Sequence, residues 1–109
     1  MEIFEVFSRV ETSGEYVLGA EATGSHACYL IYGRLAGLEK GRQLKPGKGH
    51  EELILAVKGD LLFSGSSAGT LREGRALHLR GEETLWLENP APDPAVYVIA
   101  GGHGETGHH

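Results

Sequence analysis

His50 and Glu52 stand two residues apart at the head of the run His50-Glu51-Glu52-Leu53-Ile54-Leu55-Ala56-Val57. In an extended strand alternate side chains share a face, so the imidazole and the carboxylate would point the same way. Together they could form an acid/base couple or a pair of ligand donors. The plainer alternative is a histidine bonded to nearby backbone and a glutamate paired with Lys48, which has the same parity. Because five apolar residues follow it, Glu52 is expected beside a dry interior, where desolvation raises a carboxyl pKa and suits it to proton transfer. The remaining candidates are poorer in donors. His26-x-Cys28 offers two donors for a soft metal and lacks a third. His78, between Leu77 and Leu79, reads as a strand histidine, not a ligand.

The elements that must position these groups are short and punctuated. The chain has 109 residues, room for one domain. Seventeen glycines, spread singly, imply many tight turns. Strand-like segments are expected at Ile3 to Phe7, at Tyr16-Val17-Leu18, and from Ala27 to Leu38 as one long strand bent at Gly33 and Gly37. The stretch Glu51 to Leu62 has good helix formers, but Gly49 and Gly59 bracket only nine residues, so strand-turn-strand is the expectation. Ala76 to Leu79, Thr84 to Glu88 and Ala95 to Ala100 complete the set, separated by turn-rich stretches at Ser64 to Thr70, Arg80 to Glu83 and Asn89 to Pro94. Pro90, Pro92 and Pro94 make the last of these a stiff connector without ladder pairing. Eight or so short strands with regular turns describe an all-β sandwich or barrel.

Composition excludes several function classes. Ten Lys plus Arg against fifteen Asp plus Glu give a net charge of −5 with no basic block, which argues against nucleic acid as a partner. No apolar run approaches the length of a membrane span, and the first residues are acidic where a secretory signal would be basic, so a cytoplasmic protein without a membrane partner is expected. The single cysteine, Cys28, forms no intrachain disulfide, and no C-x-x-C is present for zinc or thiol redox chemistry. Near-absence of Asn and Gln, with only Gln43 and Asn89, matches the bias of heat-adapted proteins or of genomic base composition.

The segment from Pro46 to Asp60 resembles the first signature of the cupins, in which a Gly is followed by H-x-H, a Glu, six residues and a Gly. Here Glu52 and Gly59 carry the second half. The second cupin signature fits by spacing from Gly74 through Arg80, Glu82 and Leu85 to Asn89, with its Pro, Gly and His all replaced. The resemblance covers about Leu38 to Gly101 and implies a cupin double-stranded β-helix, or jelly-roll barrel. It divides the chain into one barrel over residues 1–101 and a Gly/His-rich tail over 102–109, whose His103 could supply a donor if the tail folds back over the barrel mouth.

In metal-binding cupins the H-x-H pair, the Glu and the later His hold one divalent ion. This chain has Pro46 and Lys48, or in the other register Gly47 and Gly49, at the first two positions and Leu85 at the last. Only Glu52 of that set is left, and one carboxylate cannot hold a transition metal. No cofactor is therefore expected, with a divalent metal on non-standard ligands as the one route left open. The leading expectation is a homodimeric cupin that binds a small molecule in its barrel without the usual metal. An isomerase, lyase or dioxygenase using His50 and Glu52, and a non-catalytic ligand sensor, are the alternatives. The strand expected at Ile3 to Phe7 is either an edge for pairing across a two-fold axis or simply the barrel's first strand. Tyr29, Tyr32, Tyr97 and Phe63 read as barrel lining or plain core, with core the safer reading, and Trp86 as packed between the sheets or at a dimer interface.

Overall fold

A computed structural model describes residues 1–103. Among these residues nine strands form two antiparallel sheets that face each other. They are β1 (Gly14–Leu18), β2 (Cys28–Leu35), β3 (Lys40–Leu44), β4 (His50–Lys58), β5 (Leu61–Gly65), β6 (Gly69–Leu71), β7 (Ala76–Arg80), β8 (Leu85–Glu88) and β9 (Ala95–His103). The larger sheet runs β1-β2-β9-β4-β7 and the smaller β3-β8-β5-β6. Their inner faces meet in a core built around Leu35, Leu44, Ile54, Leu61, Leu87 and Ile99. Removing this apolar surface from water is the main force holding the sheets together.

Strand β4 shows how sequence becomes position. Its burial alternates, with Glu52, Ile54 and Ala56 inside and Glu51, Leu53 and Leu55 outside. The apolar run that could equally have been a helix is thus a central strand, ladder-paired on one side to β7 and on the other to β9. Tertiary pairing overrides helix propensity here.

Several expectations are corrected. The segment Ile3 to Phe7 is not a strand: the chain is irregular up to a 3₁₀ turn at Phe7–Arg9. Its apolar residues fall in adjacent pairs and do not alternate, and Phe7 instead stacks on Tyr32 on the outer face of the larger sheet, ring centroids 4.8 Å apart. Arg9 likewise lies over the Tyr16 ring at 5.2 Å. The edge through which two-fold pairing was expected is therefore absent. The strand expected from Ala27 to Leu38 stops at Leu35, because Gly37 passes against the Pro92 backbone and Leu38 takes a left-handed φ of 63°. Strand β3, polar in sequence, and strand β6, inside a turn-rich stretch, were not expected. Both owe their existence to partners, β8 and β5 respectively.

Strand β9 continues through Gly102 and His103, two residues into the segment read as a tail; residues 104–109 of that tail lie outside the described residues. Trp86 is 43% exposed on the outer face of the smaller sheet, not packed between the sheets, since its neighbour Leu85 takes the inward position. Asn89, the last residue of the second signature, is buried and structural. Its amide donates to the carbonyls of Ala36 (3.0 Å) and Asp93 (2.8 Å) and its Oδ1 accepts from Ala91 N–H (3.1 Å), so it pins the proline-rich connector to the end of β2. Among the described residues no helix is long and apolar enough to cross a membrane.

Candidate functional site

Three adjacent strands carry the site. In the register of the larger sheet Tyr29 on β2 lies opposite Gly101 on β9, which lies opposite Glu52 on β4, and one step further His50 on β4 lies opposite His103 on β9. All share the inward face. A Cβ on Gly101 would fall 2.3 Å from Cζ of Tyr29, so only glycine lets the tyrosine ring lie across β9. Having crossed it, the Tyr29 hydroxyl donates to Oε2 of Glu52 at 2.5 Å, in the short range of charge-assisted hydrogen bonds. His50 stands edge-on to Tyr29 with centroids 5.9 Å apart, and its ring is 4.7 Å from that of His103.

These groups line a cavity of about 340 Å³ at one end of the sandwich, with Val17 and Ile31 as an apolar wall and Lys45 and His26 at its rim. Glu52 is 5% exposed and makes no ion pair among the described residues. Burial pushes its pKa up, against the opposing pull of the Tyr29 hydrogen bond. The Tyr29 hydroxyl is pushed up as well, by burial first and by the carboxylate it bonds second. The alternative of a Lys48 pair for Glu52 is not realised; its partner is a phenol, a neutral donor that leaves the carboxylate without an ion pair among the described residues. Nδ1 of His50 is buried without a hydrogen-bond partner among the described residues. Such an unsatisfied group costs about 1–3 kcal/mol, which a polar atom of a ligand would relieve.

The same device recurs deeper in the barrel, in the opposite direction. Tyr97 on β9 lies opposite Gly33 on β2, where a Cβ would be 2.2 Å from its Cζ, and beyond Gly33 it reaches Glu15 on β1, to which its hydroxyl donates. Here a cation completes the set. Arg42, its side chain 13% exposed, donates to the Tyr97 hydroxyl (2.8 Å), to the Arg34 carbonyl (2.9 Å) and to Glu39 (3.3 Å). Glu39 in turn accepts from Ser13 (2.6 Å) and from the Ala36 N–H (2.8 Å).

His50 and Glu52 therefore line one cavity, as their spacing in the sequence proposes. His78 faces outward, 2.7 Å from Glu51, with no role in the cavity. His26 and Cys28 are both exposed at the cavity rim. Tyr29, for which the sequence favours plain core over barrel lining, proves to line the cavity. The available signal was the pair of glycines at 33 and 101, each opposite a tyrosine, but only the register reveals it.

The metal centre implied by the cupin resemblance does not fit these residues. Leu85 is buried in the core, and among the described residues no group of three His, Cys, Asp or Glu side chains converges to hold an ion.

No family profile matches the sequence, and no curated protein proves to be its relative. Solved structures do resemble it. A cupin protein from Bacteroides fragilis superposes with a TM-score of 0.71 at 12% identity, over 100% of this chain and 92% of that one. An uncharacterised conserved protein with a double-stranded β-helix domain from Klebsiella pneumoniae gives 0.72 at 13% identity, over 98% and 94%. A sugar phosphate isomerase of the cupin superfamily from Silicibacter pomeroyi gives 0.61 at 18% identity, over 83% of this chain and 60% of that one. At such identities the likeness is one of fold. With two antiparallel sheets in this order and these neighbours, the chain is a small domain of the cupin fold, a double-stranded β-helix.

Proposed function

We propose that this domain binds a small polar molecule in the cavity above Glu52, using Glu52 and Tyr29 as hydrogen-bonding floor and His50 as a flanking partner, without a metal. The observation that carries the proposal is a buried carboxylate that makes no ion pair among the described residues, bonded to one phenol, at the bottom of a cavity that also holds an imidazole nitrogen without a partner there. Buried charge without a partner is costly and persists where it serves a site. A thermal-shift screen across sugars, polyols, keto acids and nucleotides tests it, since a ligand at 100 times its dissociation constant stabilises by about 2.7 kcal/mol. A hit whose shift is lost in Glu52→Gln and Tyr29→Phe is the expected result. Melting curves that stay flat across the whole set would remove the proposal.

A catalytic version has one specific support. Burial raises the pKa of Glu52 towards the range in which a carboxyl can both give and take a proton, with His50 on the same face as its counterpart. One structural neighbour is described as a sugar phosphate isomerase, an activity compatible with such a pair. Turnover of a bound hit by the parent protein would distinguish the enzyme from the binding module, which binds without converting its ligand.

A further inference from the structure

The polar atoms of the cavity are sorted by depth. At the floor the Tyr29 hydroxyl directs its proton to Glu52, so with that carboxyl ionised the two side chains turn lone pairs towards the cavity. The rim is richer in donors. Lys45, His26, His50 and His103 each offer N–H there, a neutral imidazole keeping one acceptor nitrogen as well, and among the described residues Glu52 is the only acid lining the cavity. This runs against the composition of the chain, which has fifteen acidic residues against ten basic ones. Three of the four histidines among the described residues, His26, His50 and His103 but not His78, gather at this opening. Between floor and rim the wall is the hydrocarbon of Val17 and Ile31.

Building on the small-molecule proposal above, we infer that the ligand is a small hydroxylated anion. Its hydroxyl donates to the acceptors of Glu52 and Tyr29, its carbon skeleton rests on Val17 and Ile31, and its anionic oxygens accept from Lys45 and the rim imidazoles. A plain polyol would satisfy the floor and leave the rim donors unanswered; a plain inorganic anion would do the reverse. A carboxylate and a phosphate monoester supply the same acceptor chemistry at the rim.

Calorimetric titration of the protein with glycerate, glycerol 3-phosphate and glycerol tests the inference and separates the two anion sources. One of the two anions is expected to bind at least about tenfold more tightly than glycerol, the scale of one charge-assisted hydrogen bond. Lys45→Ala should weaken that anion by about tenfold, leave any glycerol binding and the melting temperature unchanged, and flatten the salt dependence of binding. Whichever anion wins identifies carboxylate or phosphate as the recognised group. Glycerol binding as tightly as both anions would overturn the anion inference and leave the small-molecule pocket standing. So would silence from all three probes when the broader screen finds a neutral ligand, or an anion affinity indifferent to Lys45→Ala. Silence in both experiments would overturn the two proposals together.

Discussion

Tyr29 and Tyr97 sit on adjacent antiparallel strands and reach in opposite directions, each across a glycine, to a glutamate on the strand beyond. The covalent parts are the same and the surroundings are not. Around Tyr97, fully buried, Arg42 and Glu39 close a network that leaves each charge answered. Around Tyr29 the carboxylate has only the phenol, and a cavity opens beside it. A closed polar network holds strands in register, whereas an open one keeps acceptors available to something from outside. On the proposal above, the difference gives one station a structural task and the other a binding task.

Substituting the two glycines should show the largest contrast. In Gly33→Ala the new methyl meets a ring locked in the core, and a cost of about 3 kcal/mol is expected from overpacking. In Gly101→Ala the Tyr29 ring can swing into the cavity, so about 1 kcal/mol is expected, together with loss of any ligand-induced thermal shift. Denaturant unfolding of both variants measures this, and equal costs would break the distinction. Next in size is Arg42→Met, which strips the donor from the Tyr97 hydroxyl and the Arg34 carbonyl. Hydrogen bonds from a charged group put its cost at about 2 kcal/mol.

The phenol-to-phenyl pair is expected to be milder. Tyr97→Phe removes a hydroxyl held between Arg42 and Glu15 and should cost about 1.5 kcal/mol, while Tyr29→Phe should cost about 1 kcal/mol, because water entering the cavity can replace its single bond. The smallest effect is a pH dependence. A carboxyl whose native pKa is raised binds protons more tightly folded than unfolded, so its contribution to stability is present below the ordinary carboxylate pKa and is lost as pH rises through the raised value. Glu52→Gln abolishes that loss, and its melting temperature should gain on the parent as pH rises above the ordinary carboxylate pKa of about 4. A gap that closes over this range would mean that Glu52 has found a cation after all.

How much of this was visible in advance varies by residue. Glu52 and His50 could be found because strand periodicity alone puts them on one face, and β4 is long and bounded by glycines. The hairpin at Lys58-Gly59-Asp60 was equally visible, its glycine taking a φ of 85°. Strand β3 was not, because Lys40, Gly41, Arg42 and Gln43 carry no strand signal and are held by β8. Nor was the N-terminal segment, where apolar character without alternation was mistaken for a strand.

From the order of its residues alone, then, the chain settles that it forms a single all-β unit, that Glu52 faces inward beside His50, and that of the usual cupin ligand positions only Glu52 keeps a donor. Periodicity, turn chemistry and side-chain donor inventory are local properties, and they can be read locally. Only the tertiary structure decides that Tyr29 bonds Glu52, that Arg42 completes the Tyr97 station and not this one, and that Lys45, His26 and His103 converge on one opening. Those facts depend on the register between strands far apart in sequence, which is set by how all the inward faces pack at once.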